Sequence, residues 1–287
     1  KVKINQFYGI EINDFAVAVA KAALWIAESQ MLRETEDIIQ TNIHFLPLTT
    51  NASIVEGNAL RLDWNDVVPK EKLSYIMGNP PFVGQAMRTK EQADEMKIVF
   101  APSKAGGKLD YVAGWFKKAA DYMKGIRMEA AFVSSNSICQ GESVNLLWEM
   151  LLSNGISINF AHTTFKWTSE AKDRAAVMCV IVGFSYQERN NKLLFSGEQY
   201  KSVEHINGYL QPAPNLFIKN RSKSINAGLA KVVQGSPPAD DGRLLLSAEE
   251  REILLIKYPE LNEVIKPFIG SREFINDVGV KRCFTNG

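Results

Sequence analysis

Leu73-Ser74-Tyr75-Ile76-Met77-Gly78-Asn79-Pro80-Pro81-Phe82 is the stretch whose reading decides the fold. The apolar run 73–77 predicts a strand, and two successive prolines end it because neither can donate a ladder N–H. Outward from this point, short apolar runs at 7–12, 52–56, 129–134, 157–162 and 176–184 predict further strands. Helical patterns at 15–31, 110–124 and 143–153 lie between them. Strands alternating with helices predict an α/β fold built on a parallel sheet. No helix is evident between the last two runs, which predicts an antiparallel edge strand there. A polar turn directly after a strand stands where open α/β sheets bind ligands.

The 287 residues, 46% hydrophobic and 23% charged, suffice for one large core and part of a second unit. After Gln187 the texture changes. Asn190, Asn191, Pro212, Pro214, Pro237 and Pro238 break the alternation, so the expected division is 1–190 and 191–287, with one helix at 247–257 in the second part. No consecutive run approaches the roughly 18 apolar residues of a membrane span, and the opening residues lack a signal-peptide pattern. The expectation is a cytoplasmic protein without a membrane partner.

Cys139, Cys179 and Cys283, like His44, His162 and His205, are too scattered for a paired metal spacing or a His-based triad, so no metal is expected. The net charge of +1 excludes wholesale electrostatic binding of nucleic acid. A local basic stripe remains open: Lys219, Arg221 and Lys223 fall in one short segment, and Lys281 and Arg282 lie near the end. A solvated loop explains these charges equally well.

The chemistry is concentrated in Asn79-Pro80-Pro81-Phe82. An exocyclic aromatic amine is a poor nucleophile because its lone pair is delocalised into the ring. Two aimed acceptors, the Asn79 side-chain oxygen and the Pro80 carbonyl, can each take one amine hydrogen and favour the tetrahedral nitrogen that attacks a sulfonium methyl. Pro81 stiffens the segment, and Phe82 offers a face for stacking a base. A rigid turn after a strand is the competing reading of the same four residues.

This tetrad resembles the catalytic motif of amino-group DNA methyltransferases, in the Asn-Pro-Pro-aromatic form that goes mostly with adenine N6. The resemblance implies a Rossmann-like sheet, S-adenosylmethionine as cofactor and a flipped adenine of double-stranded DNA as substrate. It assigns Glu11, followed by Ile12 at the end of the first strand, to the ribose hydroxyls. Asn58 and Ala59 of Gly57-Asn58-Ala59-Leu60 fall at the cofactor adenine, where Asp is the commoner residue. Asp110, beside Tyr111, lines the cofactor pocket. An aromatic from Phe165-Lys166-Trp167, either Phe165 or Trp167, stacks the base opposite Phe82. Ordinary capping, turn formation and core packing compete for each of these positions. The stretch 84–108 reads either as a loop closing over cofactor or base, or as a solvated loop with one helix.

The family's glycine-rich cofactor loop belongs well upstream of Glu11, where this sequence has only ten residues. The sheet is therefore expected to lack its first strand, and the fragment to be inactive alone. Residues 219–223, 242–247 and 267–274 resemble the segment leading into target recognition in single-chain type IIG/IIL restriction-modification enzymes. That resemblance implies upstream and downstream domains of the same polypeptide as partners. Two alternatives stay open: a protein-glutamine N5 methyltransferase, and a non-catalytic DNA-binding fragment.

Overall fold

Short apolar runs bounded by turn residues do become strands. The structure is a computed structural model that describes residues 2–40, 52–167, 177–219, 228, 245–270, 275 and 282–285. It divides into two units, residues 1–220 and 221–287. In the first, β1 (Tyr8–Glu11) leads into α1 (Asp14–Ile39), then β2 (Ser53–Glu56), α2 (Trp64–Val67), β3 (Tyr75–Gly78), α3 (Lys90–Phe100), α4 (Ala113–Met123) and β4 (Glu129–Ser135). A helical run of α5 (Gly141–Ser143), a π turn (Val144–Glu149) and α6 (Met150–Ser153) follows. The strands β5 (Ser157–Trp167), β6 (Val177–Ser185), β7 (Lys192–Ser196) and β8 (Gln199–Val203) complete the unit.

Two sheets result. β1 and β2 form a parallel pair, and the larger sheet has the order β3-β4-β6-β5-β7-β8. β3 and β4 are parallel, whereas β6 runs antiparallel to both β4 and β5. The expected antiparallel strand is thus present but internal. The edge position belongs to β8, antiparallel to β7, because a hairpin-like return from β5 slots β6 against β4. Among the described residues β1 pairs only with β2, and β3 only with β4. The Tyr75 and Met77 side chains of β3 are exposed.

The core sits between the larger sheet and the helices packed on it. β4 alternates, burying Ala130, Phe132 and Ser134. Phe116 of α4 stacks on Phe184 with centroids 5.4 Å apart and meets Phe132 and Trp148 edge-on at 5.2 and 5.6 Å. Trp148 donates its indole N–H to the Ile138 carbonyl at 3.0 Å, so this buried ring leaves no orphan donor. α1 packs against β1 and β2 and buries Val17. Its 26 residues include an 18-residue window of mean hydropathy 1.3, so by length and composition alone it is apolar enough to cross a membrane. Counting consecutive apolar residues overlooks that property because single polar residues interrupt the helix.

The anticipated boundary after Asn190 falls in the turn before β7, and the first unit continues to Asn220. The second unit contains β9 (Leu245–Ser247), α7 (Ala248–Lys257), β10 (Ile265–Phe268) and β11 (Arg282–Thr285), in a sheet ordered β10-β11-β9 with antiparallel pairs. Ser247 caps α7 reciprocally with Glu250, a capping box that fixes the helix start the sequence predicts. Arg221, Lys223, residues 242–244 and 271–274, Lys281 and His44 lie outside the described residues.

One glycine is dictated by a cross-strand neighbour. Phe160 of β5 lies opposite Gly183 of β6, and a Cβ at 183 would stand 2.0 Å from the Phe160 ring. Gly183→Ala is expected to destabilise the first unit by ~1–3 kcal/mol through overpacking. Urea denaturation should show a lower midpoint at unchanged m, and an unchanged midpoint would remove the assignment.

Candidate functional site

Because β3, β4 and β5 share one direction, Gly78, Ser135 and Trp167 end at the same edge of the sheet. Asn79-Pro80-Pro81-Phe82 leaves β3 there without regular secondary structure. Pro80 is buried, Asn79 is exposed and Phe82 is half-buried against the core. Among the described residues none hydrogen-bonds the Asn79 side chain, so its amide stands open at the sheet edge.

A segment with two prolines cannot be held by its own N–H groups, and a second segment holds it instead. Tyr111 donates its backbone N–H to the Val83 carbonyl at 2.9 Å. The Asp110 carboxylate accepts the Gln85 N–H at 2.8 Å through one oxygen and the Ser137 hydroxyl through the other. Asp110 thus ties three elements together: the chain after Phe82, the approach to α4 and the turn after β4. The structure places α4 from Ala113, so Asp110 and Tyr111 precede the helix rather than open it.

The stretch 84–108 contains α3 and is clamped. Arg88 donates to the carbonyls of Gly106 at 2.7 Å, Gly107 at 2.9 Å and Gln85 at 3.2 Å, and Thr89 and Gln92 form a capping box at the helix start. Of its two sequence readings, the one with a helix matches this arrangement.

At the ends of the small sheet, Glu11 accepts the Asn13 N–H at 3.1 Å through Oε1, and its own carbonyl accepts the Gly57 N–H at 2.8 Å. Ile12 is exposed. Asn58 is half-buried in the turn after β2, and its Oδ1 accepts the Leu60 N–H at 2.9 Å. The Ala59 carbonyl accepts the Trp64 indole N–H at 2.8 Å. Lys118 donates to the Leu60 carbonyl at 2.9 Å and to that of Leu62, so the turn is held from α4 as well. Burial lowers the Lys118 ammonium below the ordinary lysine range.

Sequence reasoning did not anticipate Glu95. This α3 carboxylate is only 4% exposed and collects three donors: Asn58 Nδ2 at 3.0 Å, Arg61 Nε at 2.6 Å and the Tyr111 hydroxyl. Burial first, and then its bond to Glu95, push the Tyr111 phenol well above the ordinary tyrosine range. Lys90-Glu91-Gln92-Ala93-Asp94-Glu95 looks like a solvated helix face, and only the apolar Met96 beside it hints at burial.

Phe165 and Trp167 lie within β5, with centroids 6.3 Å apart. Phe165 also meets His162 edge-on at 4.8 Å and is half-buried, whereas Trp167 is 41% exposed. The His162 ring nitrogens lie 2.9 Å from the Thr163 carbonyl and 3.1 Å from that of Gly197, and a neutral ring donates to one of the two. Among the described residues no group of three or more His, Cys, Asp or Glu converges as a metal site.

Residues 1–196 match the family model described as the MmeI DNA-methyltransferase domain, and residues 212–284 match the MmeI target recognition domain. The chain belongs to the MmeI family. DNA methyltransferase A of Bacillus subtilis (strain 168) is 43% identical over 98% of the chain and 32% of that protein. The solved structure of the type IIL restriction-modification enzyme MmeI in complex with DNA superposes with a TM-score of 0.91 at 38% identity, covering 99% of the chain and 39% of that protein. The chain therefore spans about a third of the length of its curated relative. The gap between the two family matches, residues 197–211, contains β8, and β7 lies in the methyltransferase match.

The carboxylate that steadies the chain after Phe82 can be tested locally. Asp110→Ala removes the acceptor of the Gln85 N–H, a bond of about 1 kcal/mol net, so amide exchange at Gln85 should accelerate by several-fold. Site-resolved hydrogen exchange reads this directly. Unchanged protection of Gln85 would separate Asp110 from the loop.

Proposed function

We propose that this chain is the catalytic core of an adenine-specific DNA methyltransferase. It would transfer a methyl group from S-adenosylmethionine to the N6 amine of a flipped adenine in duplex DNA, within a bacterial restriction-modification polypeptide. One observation carries the reading: the open Asn79 amide and the buried, externally braced Pro80 stand together at the carboxyl edge of the sheet.

The Asn79 oxygen and the Pro80 carbonyl accept the two amine hydrogens, which localises the nitrogen lone pair for attack and needs no side-chain base. The side chains of Asn79 and Phe82 orient and stack the base from one side. Trp167, the more exposed aromatic at the same edge, faces the base from the other, with Phe165 behind it. When bound, S-adenosylmethionine supplies the electrophilic sulfonium methyl. The residues fit it: Glu11 keeps one carboxylate oxygen outside its bond to Asn13, and the half-buried Asn58 keeps acceptor capacity beyond its bond to Leu60. Asp110 acts through the loop it braces.

The edges of β1 and β3 that have no partner among the described residues, with Tyr75 and Met77 exposed, support an additional strand between the two sheets, carrying the glycine-rich loop. The isolated chain is then catalytically inactive and gains activity with that strand. A second unit similar to a target recognition domain favours DNA over a protein glutamine. A cytoplasmic location completes the proposal.

In the full-length polypeptide, labelled S-adenosylmethionine should transfer its methyl to duplex DNA, and Asn79→Ala should lower the rate by about a hundredfold or more. Labelling indifferent to that substitution would sink the reading. Hydrolysis of the product should release N6-methyladenine. With 2-aminopurine at the target position, fluorescence should rise on binding, and Trp167→Ala should change the bound-state signal; an identical signal would reject stacking by Trp167.

A further inference from the structure

Glu95 belongs to no part of the chemistry described so far, yet it is a nearly inaccessible carboxylate one hydrogen bond from the turn after β2. An asparagine amide has two N–H groups and two oxygen lone pairs. At Asn58 one N–H goes to Glu95 Oε1 at 3.0 Å, and one lone pair accepts the Leu60 N–H at 2.9 Å. The second lone pair of the amide oxygen remains for a ligand.

The orientation is not free. Rotating the amide by half a turn would set its oxygen against the Glu95 carboxylate and its NH2 against the Leu60 N–H, replacing two attractions with two repulsions. Glu95 is itself fixed by Arg61 Nε at 2.6 Å and by the Tyr111 hydroxyl. An aspartate at 58 would put two carboxylates in contact away from water, where they could not both ionise. The presence of Asn at this position therefore follows from its neighbour on α3.

We infer that Glu95 is a positioning residue that fixes which way the Asn58 amide faces, so that its oxygen is presented to the ligand and the site selects a purine carrying a 6-amino donor. The inference rests on the proposed placement of the cofactor adenine at Asn58. It assigns α3 a part in cofactor selection, whereas the helix otherwise looks like a cover on the sheet.

The test measures the affinity of the full-length polypeptide for two probes by calorimetry: S-adenosylhomocysteine, and S-inosylhomocysteine, in which a carbonyl replaces the 6-amino group. Wild type should prefer the amino probe by about tenfold or more. Asn58→Asp should weaken the amino probe by about tenfold. Glu95→Gln should lower the preference to less than about threefold, because a glutamine amide can turn to accommodate either orientation of Asn58.

The double variant Asn58→Asp with Glu95→Gln should restore both affinity and preference, since the introduced glutamine amide then donates to the introduced carboxylate. Taking the ratio of two probes on one protein removes any general loss of folded material. No rescue in the double variant, with Asn58→Ala still weakening the amino probe, overturns the role of Glu95 alone. If Asn58→Ala leaves both affinities unchanged, the placement of adenine at residue 58 falls, and the inference falls with it.

Discussion

Two consecutive prolines impose the constraint on which the site depends. Pro80 and Pro81 have no N–H to give, so the chain leaving β3 can be held only by what lies beyond them. The holding bonds come from residues about 25 positions further on, where Tyr111 meets Val83 and Asp110 meets Gln85. Asp110 reaches in turn to Ser137 after β4. The rigidity of Asn79 and Pro80 is thus a property of three separate chain segments, and their geometry at the sheet edge follows from the parallel run of β3 and β4.

Charge is distributed in keeping with that arrangement. The carboxylates near the loops are taken up by internal donors: Asp110 by a backbone N–H and a hydroxyl, Glu95 by an amide, a guanidinium and a phenol. Preorganisation by buried or braced polar groups is what a site needs when its chemistry depends on aimed acceptors rather than on a titrating base. A near-neutral chain can carry such a site, because the electrostatics that matter operate over single hydrogen bonds.

Much of this was legible in the sequence. The strands after residues 7, 52, 73, 129, 157 and 176 are short apolar runs between turn residues, and the structure places them within a few positions. What stayed hidden has identifiable causes. β5 runs on to Trp167 because its last residues leave the core and pair with β6 alone, and Thr163, Thr164 and Lys166 dilute the apolar signal. α1 extends to Ile39 through Arg33-Glu34-Thr35-Glu36-Asp37, a polar run that looks like its end. The division expected after residue 190 lies close to residue 196, where the methyltransferase-domain match ends, and within the unit that runs to residue 220. Asn58 and Asp110 were singled out by resemblance to a motif, whereas Glu95 has no motif and stands out only through its burial.

The internal position of β6 bears on how this chain reaches its fold. β4 finds its partners in β3, some 50 residues earlier, and in β6, some 50 residues later, so the middle of the larger sheet cannot zip up from local contacts. The β5–β6 pairing, with the Phe160 ring over Gly183, is nearer in sequence than either pairing of β4. Such a topology has a high contact order and a correspondingly slow central step. Phe132 of β4 and Phe184 of β6 meet Phe116 only when the two strands are side by side, so the aromatic cluster depends on that long-range pairing. During synthesis, β4 emerges about 50 residues before the β6 strand that covers its second edge, so that edge is open until β6 has been made.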